Sequence, residues 1–303
     1  MRIVAAAIAL TVLLTGVACG GASKSDGRPD SLTRVVLEPM DATTVSDKEL
    51  DLSIVVMRER LDKLHVEGPD LAREGKRIAL IAPSDAVDRS LSVLIRPGRL
   101  EFFDLQGDLT GTSLDAQGFP QASAKPLSPR PKTVVVTCGP KARYCPGLLD
   151  VPRRTYYYLF KYDPESKGHP IPELTGADLD LKGTRQDIDP NSGPIVLMQF
   201  TKEGARKFQD ITLTLAERGR VLHNRLGGDP EMMFQQFAIV LDREIRSAPT
   251  IDYNENPAGI PGDNGAQITG IGSLEEAREL ALVLQTGALP LDFRVVSSET
   301  RTR

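Results

Sequence analysis

The chain has 303 residues, 40% of them hydrophobic and 26% charged, with a formal net charge of −4. That composition describes an ordinary globular protein with enough residues for one large or two moderate domains. The small negative charge gives no electrostatic support for nucleic-acid binding.

In chain order, Arg2 precedes an apolar run from Ile3 to Leu14, and the small residues Gly16, Val17 and Ala18 lead to Cys19. This is the layout of an export signal, expected over residues 1–18. Cys19 fits the lipid-attachment position of a bacterial lipoprotein, although an aliphatic residue is usual where Gly16 stands; plain secretory cleavage after Ala18 is the alternative. Residues 19–31 then form a small, polar tether. No other stretch reaches the ~18–20 apolar residues needed to cross a bilayer as a helix.

Arg34–Leu37 reads as a strand. Ser46 and Glu49 have the spacing of a capping box, and Leu50, Ile54, Met57, Leu61 and Leu64 follow at helical intervals. Strand, helix and strand are predicted over 77–82, 85–95 and 99–105. Residues 107–131 are rich in Gly, Ser, Pro and Gln and suit an exposed connection. Strands are expected at 133–137, 156–162 and 195–200, then a helix over 201–216, then a loop or broken helix around Gly227, Gly228 and Pro230. Phe237–Leu241 and Arg243–Ile251 form a hairpin turning at Asp242 and Arg243. Ser273 and Glu276 open a last helix as a second capping box, and Gly287 and Pro290 stop it. A final strand covers 291–296.

The words "IVLD", "SAPTI", "AQITG", "EEARELALVL" and "TGALP" between Phe237 and Pro290 resemble the first periplasmic domain of the SecD family, the accessory subunit of the bacterial Sec translocation machinery. "RERLDKL" (58–64), "PGRLEFFDL" (97–105), "LTGADL" (174–179) and "FTKEGARKF" (200–208) extend the resemblance in the same order. Together they cover most of the chain. Where members of that family carry glycine after the first helix, this chain carries His65. The resemblance implies an α+β fold: a ferredoxin-like base subdomain built from both ends of the chain (32–106 and 263–303), with a linker and an inserted α+β head subdomain over 107–262. In that family the domain continues into membrane helices that couple proton flow to movement. This chain ends at Arg303, so it is expected to act outside the membrane without conducting protons.

Cys138 and Cys145 are close enough in sequence to form a disulfide in an oxidising compartment, with free thiols the alternative. Two cysteines without a paired His motif disfavour a metal site. His65, His169 and His223 lie in separate segments. Ser247 lacks a nucleophile elbow, Gly270-Ile271-Gly272 is a weak phosphate signal, and the acids Asp252, Glu255 and Asp263 lack the EF-hand pattern. Asp187 and Asp189 sit in "DIDPNSG", which is turn chemistry. No catalytic residue, metal or cofactor is therefore expected. Met232, Met233, Phe234 and Phe237 form an adaptable apolar cluster that suits contact with unfolded chains, packing of the head being the alternative.

These features point to a membrane-tethered extracytoplasmic module, not an enzyme, that binds exported unfolded polypeptides or Sec membrane subunits. The membrane is reached through the N-terminal lipid. The alternative is an envelope lipoprotein using the same fold to bind a peptide, small ligand or cell-wall component.

Overall fold

In the computed structural model, residues 31–302 are described except 42, 44, 111–121, 141, 143, 144 and 149. The expected signal over 1–18, the attachment site Cys19 and the tether up to residue 30 lie outside the described residues.

β1 (Ser31–Pro39), α1 (Asp47–Lys63), β2 (Asp70–Glu74), β3 (Arg77–Pro83) and α2 (Ser84–Leu94) come first. β4 (Leu100–Asp104) and the single turn α3 (Leu105–Asp108) follow, then β5 (Thr133–Cys138), β6 (Tyr156–Lys161), β7 (Leu174–Thr175), β8 (Leu179–Asp189) and β9 (Gly193–Phe200). The remainder is α4 (Lys202–Leu226), β10 (Gln235–Leu241), β11 (Glu244–Ser247), β12 (Thr250–Ile251), β13 (Ala266–Ile268), α5 (Leu274–Thr286) and β14 (Phe293–Thr302).

The terminal sheet has the order β14-β1-β3-β2 with every neighbouring pair antiparallel. Its β-α-β-β-α-β sequence is ferredoxin-like, with the fourth strand supplied by the far end of the chain. α1 forms because Ser46 and Glu49 close a reciprocal capping box and because Leu50, Ile54, Met57 and Leu61 line one face. That face packs on Val35 and Leu37 of β1, Ile78 and Leu80 of β3, and Phe293 of β14. Each such side chain contributes about 1.5–3 kcal/mol when removed from water. The helix stops at His65, which takes the left-handed φ of 53° where glycine is the usual residue. Its N–H and that of Val66 then close on the carbonyls of Asp62 and Leu61 at 2.9 and 3.0 Å.

Strands Leu100–Asp104 and Ala266–Ile268, which the sequence set among the base segments 32–106 and 263–303, hydrogen-bond in other sheets. β4 is buried along its whole length, so it needs neighbours and cover on both faces. It finds them in a larger sheet of order β6-β5-β11-β10-β4-β7, where β12 also pairs with β10. β13 pairs with β9 in a third sheet, β13-β9-β8. One face of β10 (Phe237, Ile239, Leu241) packs with α4 and α5; the other (Ala238, Val240) packs with Phe103, Tyr158 and Phe160. The connection after α3 is partly described: Leu109 bridges Phe160 and Ser123 bridges Tyr157, so its two ends lie along β6.

α4 continues to Leu226, ten residues beyond the expected end, because Gly219 is accommodated within the helix and Gly227 caps it at φ 66°. α5 keeps its Ser273 cap, but Glu276 receives the N–H of Gly272 at 3.2 Å, so the reciprocal box does not close. Among the described residues no helix is long and apolar enough to cross a membrane.

Candidate functional site

A concavity belongs to the hairpin region. After β10 the chain turns at Asp242 and Arg243, both with left-handed φ of 53° and 64°. The Asp242 carboxylate fixes this turn by accepting the Arg99 N–H at 2.8 Å, with the Arg96 guanidinium 3.4 Å away. β11 returns along β10, Ala248-Pro249 interrupts the ladder, and β12 resumes pairing with Gln235 and Gln236. Opposite this return strand runs Gly265–Gly272, which contains β13. A groove of about 810 Å³ separates the two.

Its floor is the head core: Phe208, Phe237, Ile239 and Leu280, with Ile260 and Ile271 beside them. Phe237 stacks 6.0 Å from Phe102 and meets Phe208 edge-on at 5.5 Å, which makes the floor rigid. Arg246 and Glu244 on one wall pair with each other at 3.0 Å. Two wall atoms, Arg246 Nε and Ser247 Oγ, are buried without a hydrogen-bond partner. Uncompensated buried polar atoms of this kind cost about 1–3 kcal/mol each and favour a ligand that supplies partners. The arrangement suits an apolar guest carrying hydrogen-bonding groups.

A second cluster lies at the end of β4. Arg218 of α4 grips Asp104 with both terminal nitrogens, one contact being 2.8 Å. The Asp104 N–H donates to Asp108 Oδ2 and to Glu173 Oε2, each at 3.2 Å. Burial, then the neighbouring Asp108, pushes the pKa of Glu173 up to about 10, well above the usual carboxyl range, and burial raises that of Asp108. Three carboxyls with one cation make a clasp between β4, α3, β7 and α4. Nearby, buried Glu101 receives Arg243 at 2.8 Å, and the Arg243 guanidinium lies 4.7 Å from the Tyr162 ring centroid.

A third polar feature is a cation without a carboxylate. Arg60 is fully buried and donates to the carbonyls of Val93 and Leu94 at 3.0 Å, of Arg96, and of Gly287 at 3.0 Å, and to Thr286 Oγ1 at 3.1 Å. It thereby satisfies the open C-terminal ends of α2 and α5. Burial pulls its guanidinium down to about 10, so it stays charged at neutral pH.

The structure separates the residues singled out in the sequence. Of the apolar cluster, Phe237 lies in the groove floor, while Phe234 packs edge-on against Tyr253 at 5.3 Å and Met233 rests on the same core. Met232 is 50% exposed. Cys138 and Cys145 form a disulfide with Cα atoms 5.8 Å apart, and Ala142 in the closed loop reaches the groove. His223 lies 3.2 Å from the Gly228 carbonyl, and His65 ends α1. Ser273 caps α5, Asp252 accepts the Asn254 and Glu255 N–H groups, and Asp189 accepts those of Asn191 and Ser192. Among the described residues, no group of three or more His, Cys, Asp or Glu is placed to hold a metal ion. Sequence reasoning missed Arg60, the Asp104 clasp and the β13 wall. For the first two a signal existed, since Arg60 sits on the apolar face of α1 and Arg218 beside Leu215 and Ala216 of α4.

Residues 164–291 match the family model for the P1 head subdomain of SecDF. The chain is 30% identical over 268 residues to the protein translocase subunit SecD of Rhodobacter capsulatus, covering 87% of this chain and 38% of that protein. It is equally similar to subunit SecDF of Thermus thermophilus, covering 86% and 29%. The chain thus spans about a third of the length of these relatives. A solved structure of SecDF, described as a membrane component that enhances protein export, superposes with a TM-score of 0.55 at 26% identity, over 87% of this chain and 98% of that one. A crystal structure of SecDF in a super-membrane-facing form shares the fold, with a TM-score of 0.57 at 24% identity over 89% and 30%.

Proposed function

Because this chain belongs to the SecD family through its first periplasmic domain, we propose that it is an extracytoplasmic Sec accessory module whose head groove holds exported polypeptide. The observation that carries this reading is the groove itself, floored by Phe208, Phe237, Ile239 and Leu280. An emerging chain is unfolded and presents apolar side chains and unpaired amides together. Each apolar side chain buried in the groove contributes about 1.5–3 kcal/mol before ordering costs are subtracted. Capture of a few residues is therefore weak and reversible. Such capture blocks backward sliding while it lasts, and directional work comes from a Sec membrane partner or from rectified diffusion.

Within this proposal Phe237 acts from the floor, and Met232, Met233 and Phe234 form a separate apolar spot beyond β10 that a longer client reaches. Acylation at Cys19 would place the module on the outer face of the cell membrane, where a diacylglycerol gives stable attachment. The proposal includes no bond-making chemistry.

Cross-linking in cells tests it. A photoreactive residue replaces exposed Gln267 at the groove rim, with Asp62 on the outside of α1 as control. Cross-links from position 267 to many exported chains or to Sec subunits are expected. A single unrelated product would favour the ligand-binding lipoprotein, and none above the control would remove the export reading.

A further inference from the structure

β13 differs from the longer edge strands β14, β2 and β8. Long edge strands invite unwanted pairing, and proteins usually protect them with charge. β14 carries Arg294, Glu299 and Arg301; β2 carries Asp70, Arg73 and Glu74; β8 carries Asp180, Lys182, Arg185, Asp187 and Asp189. β13 is Ala266, Gln267 and Ile268, with no charge and no proline. One side of it pairs with β9, in the register Ala266 to Met198, Gln267 to Leu197 and Ile268 to Val196. Its other side borders the groove.

The strand is also held ready. Gly265 before it and Gly270 after it have φ of 73° and 77°, a conformation that disfavours side chains. A Cβ on Gly265 would run into the Met198 carbonyl, so the turn fits tightly against β9. The Gly265 N–H closes that turn on the Gly262 carbonyl at 2.9 Å. Across the groove stand the unpartnered Ser247 Oγ and Arg246 Nε. The pleat is asymmetric: Ile268 is fully buried toward the core, while Gln267 points outward.

We propose that the client binds as an added strand on the free edge of β13, in extended conformation, as a fourth strand of the β13-β9-β8 sheet. This deepens the polypeptide-capture proposal and rests on it. Main-chain hydrogen bonds to Ala266–Ile268 hold the client whatever its sequence. Alternate side chains point into the groove floor and the intervening ones to solvent, so the preferred segment alternates apolar and polar residues. With glycine turns at both ends of β13, the matched length is about five residues, or ~16 Å of extended chain. Proline is excluded at client positions whose N–H must face β13. A second copy of this chain is the competing occupant of the same edge.

Synthetic peptides with the full chain test the mode. An alternating valine–serine octapeptide is titrated by calorimetry against two isomers, N-methylated at the odd or at the even residues. Strand addition predicts that methylation in one register weakens binding at least tenfold, while the other register stays within about twofold. Equal tolerance of both registers, with binding still weakened by the groove-lining substitution Ala248→Arg, overturns strand addition and leaves the groove as the client site. No binding of the unmethylated peptide, or of a carboxymethylated unfolded protein, overturns both. Sedimentation of the free chain covers the remaining case: a dimer that peptide does not dissociate assigns the edge to a second copy and overturns the proposal.

Discussion

The terminal sheet and the head treat buried polarity in opposite ways. In the base, Arg60 is fully buried, yet its donors reach carbonyl and hydroxyl acceptors at the ends of α2 and α5, and the sheet's outer charges pair as Glu38 with Arg77 and Arg294. In the head, Asp104, Asp108 and Glu173 crowd around one cation, and Arg246 Nε and Ser247 Oγ have no partner. One region is closed and satisfied; the other keeps polar groups and a strand edge in reserve. The comparison teaches that a binding element can be recognised by what its surroundings leave unpaired.

The largest expected effect comes from cutting the closed side. Arg60→Met keeps volume but leaves the ends of α2 and α5 without their donor, and should cost about 4 kcal/mol in urea unfolding. Amide exchange at both helix ends should rise together; exchange confined to α1 would break the picture of a shared lock. In the head, Arg218→Met removes the cation that grips Asp104. Because Arg218 is partly exposed, the loss should be nearer 2–3 kcal/mol, with unfolding at lower denaturant and an unchanged slope. Gly265→Ala forces a side chain into a left-handed turn against Met198 and should cost about 2 kcal/mol, weakening client binding more than it lowers stability elsewhere.

A smaller effect has the opposite sign. Glu173 holds its proton more tightly when folded than when unfolded, so between the ordinary carboxyl value near 4.5 and the raised one the folded state binds more protons. Stability must then fall as pH rises through that window. Glu173→Gln mimics the protonated acid and should flatten the slope, adding about 1 kcal/mol at pH 8 after allowance for partial exposure and almost nothing at pH 4. An unchanged pH profile would remove Glu173 from the clasp. Met232→Ser, at an exposed site, should change stability by less than about 0.5 kcal/mol.

Much of the closed region was legible in the sequence. Ser46, Glu49 and the Leu50–Leu61 spacing specify α1 locally, and the nearness of Cys138 to Cys145 made their pairing a short-range inference. The head was less legible because its site is assembled from distant pieces. β13 has three residues, its value lies in backbone groups that carry no sequence signal, and its opposing wall comes from residues 245–251. α4 runs through Gly219, a poor helix former. In the fold its missing side chain lets Met233 and Tyr253 approach the helix closely. The Met232–Phe237 cluster was visible as composition, but pleating and packing sent Phe237 to the groove floor and Phe234 against Tyr253.

The chain contains no tryptophan, so a single introduced one reports binding without background. Thr250→Trp places it at the groove rim, and Asp62→Trp on the outer face of α1 serves as control. Titration with a carboxymethylated unfolded protein should give a saturable blue shift at position 250 and none at position 62, and the same protein in its folded form should give none at either. Equal responses at the two positions, or no response at 250, would contradict a client-binding groove in the head.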